Sequence, residues 1–252
     1  MTTRADRVAR AFDAAQDYDA HAGVQREVAR RLAARIAALT LHERPRVLEI
    51  GCGTGLLTRA LHDTGLRGEW LVTDIAPQMV ERARQRLSDL PGLRFATLDG
   101  EFGELPDGPF DLVCSSLAVQ WFEDAAAALA RLATALSPNG HLLATTLGPG
   151  SFAQWRAAHE AEGLSGGTPR FAPINAFERL APMALTIEPV TAHHADAGSF
   201  LKGLKAIGAG TPDPAHRPLT PSQLRRVMAR FEQCGGIVTY EVVTCHLRSA
   251  AL

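Results

Sequence analysis

Cysteine is scarce in this chain: Cys52, Cys114, Cys234 and Cys245 stand far apart with no C-x-x-C pair. Neither a disulfide framework nor a zinc site is expected, and all four read as reduced thiols. Lysine is scarcer still, since Lys202 and Lys205 are the only two among 26 basic residues. The 27 acidic residues leave a formal net charge of −1. That balance argues against a general nucleic-acid binder, which needs a basic surface to displace counterions. No apolar run approaches the roughly 18 residues of a membrane span. The stretch "MTTRADRVARAFDAA" is charged and amphipathic where a secretory leader would be apolar. No membrane association and a cytoplasmic location are therefore expected. What the chain does have is 252 residues, 46% of them hydrophobic, enough to bury the core of one larger α/β domain.

From about Arg46 to Leu147 one unit repeats: a short apolar strand, a turn, a helical pattern. "RVLEI", "GEWLVTD", "LRFATLD", "FDLVCSS" and "GHLLATTL" read as strands. Strands that alternate with helices and lack strict polar alternation belong in a parallel sheet covered on both faces. "PQMVERARQRL" places Pro77 at a first helical position, and "EDAAAALARLATAL" is expected to end before the proline and glycine of "SPNG". The N-terminal flank reads as two helices broken near Asp19 to Gly23. The C-terminal flank shows a glycine- and proline-rich loop, "LSGGTPRFAP", then strand-like "ALTIEPVTAHHA" and "GIVTYEVVTCHL" around helical "GSFLKGLKAIGA" and "TPSQLRRVMARFEQ". The two late strands are expected to extend the sheet antiparallel at its edge. His193 and His194 alternate across a strand, a poor metal geometry, and receive no role.

The segment "VLEIGCGTGLLTRAL" sets Gly51, Gly53 and Gly55 between a strand and a helix. A tight turn that needs only glycine dihedrals is one account. A nicotinamide dinucleotide site is another, but its fingerprint is G-x-G-x-x-G, and here the third glycine comes one position early with Glu49 two residues ahead. The third is S-adenosylmethionine, and Glu49-x-Gly51-x-Gly53-x-Gly55 resembles the first motif of the class I methyltransferases. That resemblance implies an acid at the end of the second strand for the ribose hydroxyls, supplied by Asp74, since a carboxylate offers two acceptor oxygens in a fork. It also implies Asp99 with Gly100 near the adenine, and Ser116 and Leu117 at the end of the fourth strand. Cys52, Ile75 and Met79 complete the implied cofactor set. The implied fold is a Rossmann-like α/β class I methyltransferase domain: a mostly parallel seven-stranded sheet, helices on both faces, and an antiparallel C-terminal edge.

The flanks narrow the family. "AFDAAQDYDAHAGVQREVARRL", "SSLAVQWFED", "FLKGLKAIGAG", "LTPSQLRRV" and "GGIVTYEV", in this order, resemble the malonyl-[acyl-carrier protein] O-methyltransferases of biotin synthesis. The resemblance implies one domain over 1–252, with a helical lid at 1–44, a cofactor core at 45–147 and acceptor-side elements at 148–252. It implies that Tyr18, His21 and Gln25 position the acceptor, and that Gln120, Trp121 and Lys205 contact it. S-adenosylmethionine is the implied cofactor, S-adenosylhomocysteine its product, and malonyl-acyl carrier protein the protein-borne substrate of a monomer. No general base is expected, because a malonyl carboxylate is already ionised at neutral pH. Carrier docking is expected at Arg26, Arg30, Arg31 and Arg35, or at Arg225, Arg226 and Arg230. The alternatives are a methyltransferase for aconitate or a quinone precursor, or a related cofactor-binding assembly factor or protein hydroxylase.

Overall fold

The computed structural model describes residues 3–15, 17–209 and 216–249. The chain opens with three helices, α1 (Arg4–Asp13), α2 (Tyr18–His21) and α3 (Gly23–Ala37). It then alternates β1 (Arg46–Ile50), α4 (Leu56–Asp63), β2 (Glu69–Asp74), α5 (Pro77–Arg86), β3 (Leu93–Thr97), β4 (Phe110–Ser116), α6 (Ala125–Ala133) and β5 (Leu136–Leu147). The last third holds α7 (Ala153–Glu160), α8 (Ile174–Glu178), β6 (Ala184–His193), α9 (Ala197–Ala206), α10 (Pro221–Gln233) and β7 (Ile237–Arg248). The strands form one seven-stranded sheet in the order β3-β2-β1-β4-β5-β7-β6, with β7 antiparallel to both β5 and β6.

Local chemistry explains the boundaries. Pro77 starts α5 at a position whose amide has no helical partner, and Asp124 caps α6 by accepting from the Ala127 amide. Thr220 and Gln223 close a reciprocal capping box on α10. β1 is an interior strand, between β2 and β4, and is buried on both faces from Val47 to Ile50. Val47 faces the layer of α3 and α4 with Leu32, Ile36 and Leu61, while Leu48 and Ile50 face the layer of α6 with Leu129 and Leu132.

Three expectations about the elements need correction. The N-terminal flank is broken twice, after Asp13 and at Ala22, which leaves α2 only four residues long. "SPNG" does not stand outside the sheet. β5 begins at Leu136 opposite Phe110, and the tetrapeptide forms a register shift before His141 pairs with Leu112. Asn139 there takes a left-handed φ of 64°, so the break is absorbed as a bulge within the strand. Helices α7 and α8 had no counterpart in the sequence reading; α8, at five residues, is far shorter than the window in which a 3.6-residue period shows.

One polar pair lies inside the antiparallel edge. His141 on β5 and His246 on β7 are both buried, with Nδ1 of the first 2.9 Å from Nε2 of the second. Burial lowers the pKa of each below 6.5. A depressed folded-state pKa means that the unfolded chain binds more protons, so stability is full above about pH 6.5 and falls as acid titrates the unfolded form. Glu49, whose folded pKa is raised, acts in the reverse sense over its own range. The pair is therefore isolated by comparison: in H141N/H246N the fall in unfolding free energy between pH 7.5 and 5.5, measured by urea titration, becomes smaller. Each imidazole contributes at most about 1.4 kcal/mol per pH unit.

Candidate functional site

Strand order reverses between the parallel neighbours β1 and β4, so a crevice opens at their carboxyl ends. Two cavities occupy it. The first runs along the glycine turn and is lined by Glu49, Gly51, Cys52, Gly53, Asp74, Ile75, Asp99, Gly100, Ser116 and Leu117. The second, about 710 Å³, lies between the N-terminal helices and the inserted elements α7, α9 and α10 and includes Gln120 and Lys205. Phe12, Tyr18, Gln25, Leu117 and Trp121 line both. They make a shared wall, in which Phe12 meets Trp121 edge-on at 5.6 Å and lies tilted against Tyr18 at 6.5 Å.

The glycine turn is shaped by packing as much as by openness. Gly51 has φ 69°, and a Cβ there would stand 2.2 Å from Cβ of Ala118, in the loop after β4. Gly55 takes φ 84° at the start of α4, where a Cβ would meet Leu87 at 2.6 Å. It does not line the cavity. Gly53 alone of the three presents open backbone, its nearest neighbour being the Tyr18 hydroxyl, 3.7 Å from where a Cβ would sit.

Asp74 ends β2 with its side chain aimed back at this turn. One carboxylate oxygen accepts from the Gly53 amide at 2.8 Å and the other from the Ala76 amide at 2.9 Å. Each oxygen keeps a second lone pair. Asp74 is 7% exposed, and burial raises its pKa against the pull of those amides. Glu49, 1% exposed, accepts from the Thr58 hydroxyl, and burial pushes its pKa up to about 8. Asp99 folds its own turn, one oxygen accepting from the Glu101 and Phe102 amides. Leu117 is held at a left-handed φ of 52° by its amide, which donates to the carbonyl and hydroxyl of Thr145. Such strain persists where surrounding structure over-determines it. Phe152, in the second cavity, shares this conformation at φ 62°.

The N-terminal helices are tied over the first cavity by polar contacts. Asp19 accepts from the Thr54 hydroxyl and from Arg86, each at 2.7 Å, and Arg82 donates to the carbonyls of Asp13 and Ala15. This latch brings Tyr18 onto the glycine turn, and burial raises its phenol pKa.

Not every expected residue joins the site. His21 is exposed and lies against Gly203 of α9, lining neither cavity, because the backbone turns at Ala22 and separates α2 from the axis that carries Gln25. Met79 is fully buried against Ala15 and Ala76, beneath the cavity floor. Conversely, Arg4, Ala5 and Val8 of α1, with Thr54, Phe102 and Phe122, line the first cavity, and His159, Tyr240 and His216 line the second. The amphipathic pattern of α1 was the one available signal for the first group.

A family model described as a methyltransferase domain matches residues 48–142. The biotin biosynthesis bifunctional protein BioCD of Bordetella avium is 47% identical over 236 residues, which cover 93% of this chain and 50% of that protein, so the chain spans half of that relative. The malonyl-[acyl-carrier protein] O-methyltransferase of Magnetococcus marinus is 40% identical over 247 residues, covering 95% of this chain and 91% of the relative. Haemonchus contortus phosphoethanolamine N-methyltransferase 2 shares the fold, with a TM-score of 0.55 at 14% identity over 88% of this chain and 52% of that one. Identity of this extent over nearly the full length of the second relative shows that the chain belongs to the malonyl-[acyl-carrier protein] O-methyltransferase family.

Proposed function

We propose that the chain transfers a methyl group from S-adenosylmethionine to the free carboxylate of a malonyl group held as a thioester on an acyl carrier protein, acting as a cytoplasmic monomer. One observation carries this reading: charge is partitioned across the aromatic wall. The first cavity is lined by Glu49, Asp74, Asp99, Glu101 and Glu123, with Arg4 as its one described cation. The second has no aspartate or glutamate among its described lining residues, yet contains Lys205, His159 and His216. An acidic chamber suits a cationic donor, and a chamber without carboxylates suits an anionic acceptor.

The residues fit S-adenosylmethionine. The spare lone pairs of Asp74 match a ribose diol, Gly53 leaves room for close approach, and Glu49 answers positive charge. When bound, the cofactor supplies an electrophilic methyl group on a sulfonium. The chain's own part is placement. Tyr18, Gln25 and Trp121 stand at the junction of the cavities, Gln120 and Lys205 lie on the acceptor side, and the N-terminal helices close the donor side against water. No proton has to be removed from a malonyl carboxylate at neutral pH. Aligned reactants gain effective molarities worth about 7–11 kcal/mol in favourable systems, so orientation and exclusion of water are sufficient tasks for the lid at residues 1–44. A volume of about 710 Å³ exceeds what a small acid alone requires and accommodates a thioester arm.

The carboxyl of Glu49 makes donor binding depend on pH. With a pKa of about 8 it is neutral in the free protein at pH 7, and a cation favours its ionised form. Affinity for S-adenosylmethionine is therefore expected to rise with pH up to about 8 and then level, with proton release below that point. Calorimetry in buffers of different ionisation enthalpy measures the release, and Glu49→Gln is expected to reduce it, leaving only what the buried Asp74 contributes.

The assignment as a whole is tested by offering methyl-labelled cofactor with malonyl-carrier protein, malonyl-coenzyme A, aconitate and a quinone precursor. Base-labile label on the malonyl thioesters is expected. Base-stable label on the quinone precursor, or none on either malonyl thioester, contradicts it.

A further inference from the structure

Most arginines of the basic clusters on α3 and α10 are engaged in ion pairs within the chain, two to a carboxylate in each of two cases. Arg30 and Arg31 both bind Glu27, Arg35 binds Glu188 at 2.7 Å, and Arg226 and Arg230 share Glu162. Arg26 donates to the Asp19 carbonyl at 2.6 Å, which keeps its charge, and Arg225 enters no ion pair among the described residues. A docking surface for an acidic partner needs cations whose charge is not already answered. Helix α9 has them. Its inner side buries Ala197 and Phe200, and Leu201 and Leu204 line the acceptor cavity. Lys202 and Lys205 are exposed, and neither enters an ion pair among the described residues. Three positions apart, they share one face.

The location gives this face its meaning. Lys205 is exposed and also lines the acceptor cavity, together with Ala11 of α1 and Ala14, which caps that helix. An exposed residue on a cavity wall marks its mouth. The end of α9 closes on α1 there, since a Cβ on Gly208 would lie 3.1 Å from Phe12. A partner seated on α9 is therefore beside the opening through which a tethered thioester must enter.

We propose that the carrier protein docks through an acidic helix on the outer face of α9, with Lys202 and Lys205 as its counter-charges and the thioester arm entering past Lys205. The inference rests on the malonyl-carrier reading above. It moves the docking surface away from the arginines of α3 and α10, most of whose guanidinium groups are held in ion pairs within the chain and away from the mouth of the acceptor cavity. Ammonium groups suit the task, being compact point charges that tolerate many carboxylate geometries.

The test is a ratio: kcat/KM for malonyl-carrier protein over that for malonyl-pantetheine at low salt. In K202Q/K205Q the ratio is expected to fall about 10-fold or more, K202R/K205R to restore most of it, and R226Q/R230Q to leave it near the wild-type value. A ratio unchanged in K202Q/K205Q, or lowered equally by R226Q/R230Q, overturns the proposal. Because the chain has no other lysine, amine-selective labelling read by mass spectrometry reports these two side chains directly. The carrier protein is expected to slow labelling of both, and unslowed labelling at saturating carrier overturns the proposal too. If wild type methylates neither malonyl thioester, it is the reading of function that fails; if it methylates both and the ratio does not move, only the docking surface fails.

Discussion

Asp74→Ala lowers affinity for S-adenosylhomocysteine by at least about 100-fold in calorimetry and also destabilises the free protein. The carboxylate has two tasks. Without ligand it satisfies the amides of Gly53 and Ala76, and through them it fixes the turn between β1 and α4. Truncation leaves both amides short of an acceptor, at about 1–3 kcal/mol for each that stays dry. In the donor site proposed above, the remaining lone pairs would accept two ribose hydroxyls, and hydrogen bonds to a charged group contribute about 1.5–3 kcal/mol each. Loss of both readily exceeds the 1.4 kcal/mol that corresponds to one factor of ten. Asp74→Asn is expected to fare little better, because one of the two amides then faces an NH₂ group instead of an oxygen. If either variant kept wild-type affinity, Asp74 would have no place in the donor site.

Gly51→Ala destabilises the protein by about 2–4 kcal/mol and removes detectable methyl transfer. Two costs combine: a left-handed backbone on a residue with a Cβ, and overpacking of a filled contact. The new methyl would lie 2.2 Å from the Ala118 Cβ, so one of two loops must move, and both border the donor cavity. The identity of the clashing atom allows a sharper check. Ala118→Gly removes it, and the next neighbour, the Ala118 Cα, is at 3.7 Å. G51A/A118G is therefore expected to recover more than half of the lost stability in urea unfolding, with a favourable coupling in the double-mutant cycle. Additive effects would show that the cost lies in backbone strain alone.

These two residues show how far the sequence could be read. The strands were visible because each is a short apolar run bounded by turn chemistry, and the acids at their ends stand where the chain order requires them. The antiparallel edge followed from the two late alternating runs. The physical reason for Gly51 was not visible, since it depends on Ala118, 67 positions away. Gly55 likewise answers to Leu87, and Met79 to a layer below the cavity. His21 was grouped with Tyr18 by helical spacing, but a backbone turn at Ala22 overrides that spacing. The second cavity was least legible of all. Its walls come from α1, α7, α9, α10 and β7, and no local pattern brings Phe12 to Trp121 or Tyr240 to Phe152.

The same long-range assembly produces the property on which the functional account depends: an acidic chamber, and a chamber with no aspartate or glutamate among its described lining residues, divided by an aromatic wall. The most direct test compares three nearly isosteric thioesters of pantetheine for binding to the enzyme saturated with S-adenosylhomocysteine: malonyl, its methyl ester, and β-alanyl. The account predicts that the anionic malonyl thioester binds tightest and the cationic β-alanyl thioester weakest, at least about 10-fold apart. Equal affinities, or preference for the cation, would contradict it.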